Sequence, residues 1–137
     1  MPKQFWLNLP VKNIEKSKAF FTALGFKFNA THGNTPSSAC LMMGEKDVAV
    51  MLFDEPSFKQ CIGDAAWDLS QSSEVLLSID AQSKEEVDQM VEKAIAAGGS
   101  SNHKPKEMTG WMYGCLFTDI DGHKWNVLYM DMSKMGK

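Results

Sequence analysis

The chain has 137 residues and a formal net charge of −3, with 44% hydrophobic and 23% charged residues. That balance belongs to a globular chain with one sizeable core, and it argues against a nucleic acid or an anionic membrane as partner, since both select a basic face. No run of about 18 apolar residues is present, which excludes a membrane-spanning helix.

The first residues carry no apolar signal core and run directly into a strand pattern. Cys40, Cys61 and Cys115 are odd in number and widely spaced, without a Cys-x-x-Cys pair, and read as reduced thiols of a cytoplasmic protein. The ten methionines either fill a core or line a surface that adapts to apolar ligands.

In chain order, residues 5–11 alternate as a strand, with Phe5, Leu7, Leu9 and Val11 on one face and Trp6, Asn8 and Pro10 on the other. Asn13 is a helix cap, and a helix is predicted over 14–24, closed by Gly25. Residues 26–28 resume an extended pattern, and 32–38 form a polar loop. Strands follow at 39–43 and 48–53 around a turn at 44–47. The stretch 54–73 breaks the regularity with Pro56, Gly63 and a Ser/Gln run. It is expected to connect two halves, with a short helical piece near 58–62 and with Phe58 and Trp67 against a sheet edge or a partner subunit.

The second half opens with a strand at 74–80. Ser83 and Glu86 fit a capping box for a helix to Ala97, whose buried stripe is Val87, Met90/Val91 and Ala94/Ile95, stopped by Gly98-Gly99. After a polar segment at 100–108, residues 111–118 and 124–130 read as a hairpin with Asp121-Gly122 as its tight turn. The tail beyond Asp131 is expected to fray.

The two halves repeat one plan: strand, polar cap, helix closed by glycine, then three strands. This predicts an α+β protein of two βαβββ modules, at 3–56 and 72–132, forming one domain over 1–137 with a curled mixed sheet around a cavity. Parity then separates two faces. The set Phe5, Leu7, Leu9, Val11, Val48, Val50 and Leu52, with Val75, Leu77, Ile79, Trp125, Val127 and Tyr129 in the second half, is almost wholly apolar and is expected under the helices. The opposite set, with Trp6, Asn8, Met51, Phe53, Glu74, Leu76, Ser78, Lys124, Asn126 and Leu128, is too polar for a dry core and too apolar for open water. Such a face suits the wall of a ligand cavity.

Residues 9–26, from Leu9-Pro-Val through Ala-Leu-Gly-Phe26, and residues 117–126, with Asp119-Ile-Asp-Gly122, resemble the signatures of the vicinal oxygen chelate superfamily. That superfamily includes glyoxalase I, extradiol dioxygenases and bleomycin-resistance proteins. The resemblance implies paired βαβββ modules whose sheets form a U-shaped cavity, and a homodimer. In its metal-dependent members four cavity-facing positions carry His, Gln or Glu ligands. Here those positions fall on Trp6, Met51, Glu74 and Asn126. Trp6 cannot ligate, Met51 is too soft for the metals concerned, and Asn126 is a weak oxygen donor, so no metal site and no cofactor are expected.

Two functions follow from different classes. The first is metal-independent binding of a small planar or aromatic molecule by Trp6, Asn8, Met51, Phe53, Trp111, Tyr113 and Asn126. The second is a glyoxalase I-like lyase or a dioxygenase-like enzyme using Zn, Ni or Fe, with Glu74 as ligand or general base. Against the second stands a plain pairing of Glu74 with Lys124 on the same wall. A third possibility is a sheet dimer with no small-molecule role. His32, His103 and His123 lack metal-ligand spacing and are expected as solvated loop histidines.

Overall fold

A computed structural model of the chain describes residues 6–62 and 75–134, apart from the side chains of 59–62. It divides into two compact units, Met1–Asp68 and Leu69–Lys137. The architecture is α+β, with one four-stranded mixed sheet and one crossover helix per unit.

The first unit contains β1 (Leu7–Val11), α1 (Ile14–Ala23), β2 (Lys27–Phe28), β3 (Ser38–Met43), β4 (Val48–Asp54) and α2 (Glu55–Ile62). Its sheet order is β1-β4-β3-β2, with β1 parallel to β4 and the other pairs antiparallel. The predicted cap is present: the Asn13 side chain accepts from the Lys16 amide at 3.0 Å. Gly25, at φ +96°, supplies the left-handed residue that ends α1. Leu9, Val11, Val50 and Leu52 are buried with Ile14, Phe20, Phe21 and Leu24 of the helix segment. Phe20 and Phe21 meet edge to face, with centroids 5.0 Å apart.

Two details differ from expectation in this unit. The strand begins at Leu7 rather than at residue 5, and Phe5 lies outside the described residues. The helix predicted near 58–62 starts earlier, at Glu55, with Pro56 inside it. Pro56 does not oppose a helix there, because a proline in the first turn has no intrahelical N–H bond to lose. The Asp54 carboxylate accepts from the Ser57 amide at 3.0 Å and caps the same turn. Helix α2 packs on β1 and β4, with Phe58 half-buried, while Trp67 lies outside the described residues.

The second unit contains β5 (Leu76–Ala81), α3 (Lys84–Ala96), β6 (Lys106–Met108), β7 (Met112–Thr118) and β8 (Lys124–Met130), in the order β5-β8-β7-β6. Strand β5 is parallel to β8 and the remaining pairs are antiparallel, repeating the first sheet. Ser83 caps α3 by accepting from the Glu86 amide at 3.1 Å. Glu86 reaches one residue further back than a capping box requires and takes the Gln82 amide at 2.9 Å. Of the predicted stripe, Val87, Val91 and Ala94 are buried, whereas Ile95 is exposed, because Ala94 takes the sheet-facing position. The tail forms a 3-10 turn over Met132–Lys134.

Candidate functional site

The β7–β8 hairpin is where local sequence chemistry is densest. Its connection is a five-residue loop, 119–123, rather than a two-residue turn at Asp121-Gly122. The reason is Asp119. Its Oδ1 accepts from the amides of Asp121, at 2.9 Å, and His123, at 3.0 Å. Its Oδ2 accepts from Trp125 Nε1 at 3.0 Å and from the His123 ring at 2.8 Å.

A carboxylate can only accept, so His123 Nδ1 carries the proton of that bond. One buried side chain therefore satisfies two backbone donors and two ring donors, and the loop folds around it. His123 is thus 6% exposed and not solvated, and its Nε2 has no hydrogen-bond partner among the described residues. Trp125, fixed by the same carboxylate, stacks parallel to Phe117 with centroids 6.2 Å apart.

Beyond this loop, β8 presents Lys124, Asn126 and Leu128 to the face away from Trp125 and Val127. The register places Asn126 between Ser78 of β5 and Leu116 of β7, and Lys124 between Leu76 and Thr118. Asn126 is half-buried, and its amide makes no hydrogen bond among the described residues. A cavity of about 310 Å³ opens on this unit at the Lys124 end of the same face. Val75, Leu76 and Leu116 form its apolar lining, and Ser101, Asn102, His103, Thr118 and Lys124 its polar lining. Lys124 Nζ donates to Thr118 Oγ1 at 3.1 Å.

The loop residues reach the cavity because Ser100 bridges Thr118 through its backbone, and because the Ser101 hydroxyl donates to the Leu116 carbonyl at 2.7 Å. The polar segment after the helix thus folds onto the sheet. Its composition announced a loop but not where the loop docks, so Ser101, Asn102, His103 and Thr118 were not among the candidates. The alternation of β7 could have found Thr118, which shares a face with Leu116.

The candidates from sequence are distributed over both units. In the first, Asn8 and Met51 are ladder partners and Phe53 lies two residues along from Met51 on the same face. Trp6 precedes β1 and is 51% exposed. Met51 is half-buried because the 29–38 loop closes on it: a Cβ at Gly33 would stand 2.8 Å from Cys40 Cβ and 3.3 Å from Met51 Sδ. Cys40 is buried there, and burial pushes its thiol above the ordinary value.

In the second unit, Asn126 lies on the open face, and Trp111 is half-buried just before β7, its carbonyl accepting from the Asp131 amide. Tyr113 takes the other face, where its hydroxyl donates to Asp88 of α3 at 2.7 Å. The Asp88 carboxylate accepting that proton holds the phenol up at about 12. Tyr113 thus stands on the helix side of the sheet, away from Asn126. Glu74 lies outside the described residues.

Trp6, Met51 and Asn126 do not fit a divalent cation: an indole cannot ligate, a thioether is too soft, and an amide oxygen alone is weak. Among the described residues, no three His, Cys, Asp or Glu side chains come together in a group able to hold a metal ion.

Two sheets of order β1-β4-β3-β2 and β5-β8-β7-β6, each with a helix in its parallel crossover, define a protein of paired βαβββ modules of the vicinal oxygen chelate fold. The chain belongs to the Glyoxalase/Bleomycin resistance protein/Dioxygenase superfamily, whose family model matches residues 3–127.

Among solved structures, the hypothetical protein SA1046 from S. aureus is 34% identical, with a TM-score of 0.82 over 94% of each chain. A glyoxalase/bleomycin resistance protein/dioxygenase family enzyme from Burkholderia phytofirmans is 20% identical, with a TM-score of 0.78 over 91% of this chain and 96% of its own. The fosfomycin resistance protein FosX from Listeria monocytogenes is 17% identical, with a TM-score of 0.69 over 97% of each. These last two are similar in fold alone. No curated protein matches the chain. Among the described residues, no helix is long and apolar enough to cross a membrane.

Proposed function

We propose that this protein binds a small planar or aromatic organic molecule without a metal ion, as a cytoplasmic homodimer. The observation that supports it is the cavity of about 310 Å³ on the open face of the second sheet, lined by Leu76, Leu116, Thr118 and Lys124 among others. That volume is at the small end of ligand sites, and an apolar wall with a few convergent polar groups is their usual make-up.

The residues at the family's ligand positions point the same way. Trp6 offers a stacking surface, Met51 a polarisable one and Asn126 a paired donor and acceptor, all suited to an organic molecule. Cys40 and Cys115 are free and buried, in keeping with a reducing compartment. The similarity to FosX and to the bleomycin-resistance relatives accords with a role in handling a foreign or toxic small molecule.

The test is a titration of tryptophan fluorescence against a panel of planar aromatic compounds, alongside metal analysis of the purified protein. A saturable response is the expected result, with no stoichiometric metal. A flat response across the panel removes the binding reading. Stoichiometric metal, together with turnover of the hemithioacetal of methylglyoxal and glutathione, would replace it with the lyase.

A further inference from the structure

We infer that the cavity on the second unit is built for an oxyanion, and that the molecule it takes is a small organic acid whose carboxylate or phosphoryl group sits against Lys124 and Thr118. The inference rests on the small-molecule reading above and adds the chemical class of the ligand.

The charge pattern is its basis. Lys124 is a half-buried cation on the cavity wall, and its hydrogen-bond partner among the described residues is the neutral hydroxyl of Thr118, 3.1 Å away. Among the described residues it makes no ion pair, and no carboxylate lines the cavity. A partly desolvated ammonium with no counter-charge among the described residues gains from the arrival of an anion.

The donors are also in place. An ammonium carries three N–H groups, so two remain after Thr118 takes one. The Thr118 hydroxyl accepts from Lys124 and keeps its own hydrogen to donate outward. The Asn102 amide lines the same cavity and makes no hydrogen bond among the described residues. Beside them stand Val75 and Leu76, 51% and 54% exposed, with Leu116, and Leu76 is the ladder partner of Lys124. Apolar side chains left that exposed beside a cationic corner match an amphiphilic acid, with its body on the aliphatic wall and its head on the lysine. A neutral ligand would leave the ammonium uncompensated, and an inorganic anion would leave the apolar wall wet.

Calorimetric titration of the full chain with phenylacetate, phenylphosphonate and the neutral phenylacetamide tests this directly. One or both acids should bind about tenfold more tightly than the amide, the size expected of a charge-assisted hydrogen bond. Lys124→Gln should remove that preference, weakening the acids about tenfold and leaving the amide unchanged. Lys124→Arg, which keeps the charge, should retain it. Thermal melts of both variants establish that they fold. Equal binding of acids and amide, or a preference that survives Lys124→Gln, overturns the oxyanion site and leaves the small-molecule reading standing. If none of the three binds the wild-type chain, both fall for compounds of this class.

Discussion

The two units share strand order, crossover helix and caps, and yet they finish their open sheet faces differently. In the first, the 29–38 loop folds back until Gly33 touches Cys40 and Met51, and the middle of the face is closed with sulfur. In the second, residues 100–101 dock through Ser100 on Thr118 and Ser101 on Leu116 before β6 pairs along β7, and a cavity with a cationic corner remains. One topology therefore supports a filled face and an open one. Loop chemistry decides between them: a glycine at φ +79° permits close approach in the first, and a short polar segment holds back in the second.

Breaking the hairpin should cost most. Trp125→Ala removes a fully buried ring, its stack on Phe117 and its bond to Asp119, and should destabilise the protein by about 3–5 kcal/mol in chemical denaturation. Trp125→Phe keeps most of the packing and orphans part of the Asp119 carboxylate, and should cost about 1–3 kcal/mol. If the two variants melt alike, the carboxylate is not what organises the loop.

Opening the closed face is the next largest effect. Gly33→Val adds a β-branched side chain at a positive φ and against Cys40, for about 1–3 kcal/mol. It should also speed the reaction of Cys40 with a thiol reagent. Gly44→Ala has a similar φ, +75°, and free space around it, so it should cost only about 1 kcal/mol and leave Cys40 protected. Equal thiol reactivity in both variants would mean that the loop does not close the face.

The caps offer a matched pair across the repeat. Asn13→Ala and Ser83→Ala should each cost about 1 kcal/mol in denaturant titrations, because each removes one acceptor from an N-terminal amide. A cost in only one variant would show that the repeat is not energetically symmetric.

The smallest effect is spectroscopic. Tyr113 titrates at about 12 in the folded protein, above its ordinary value of 10.0, so the Asp88 bond contributes stability that is fully present below pH 10 and is lost as pH rises toward 12. Asp88→Asn should bring the phenol down toward its ordinary range in an absorbance titration. No movement would place the cause elsewhere.

How far the sequence could be read depended on how local the cause was. Asn13, Gly25 and Ser83 act within one turn of chain, and their roles follow from residue type and spacing. Strand parity was legible in the middle of each sheet, where Leu9 and Val50 in the first unit and Leu77 and Val127 in the second are buried, but not at the strand ends, where Val48 and Val75, expected on the buried face, are 44% and 51% exposed. His123 was not legible. It sits in a polar turn, and only the fourfold use of the Asp119 carboxylate draws it inside. Tyr113 alternates as a strand residue should, but its side of the sheet became clear only with Asp88 of the helix against it.

The sequence alone determined the repeat, the helix caps, the two-faced strands and thereby the family, because each is written in short-range periodicity and in residues whose preferences are intrinsic. Tertiary structure decided which loops close on which face, which groups surround Lys124 and where a cavity remains. Those outcomes depend on pairings such as Ser100 with Thr118 and Gly33 with Met51, made between residues distant in the chain and indifferent to local pattern.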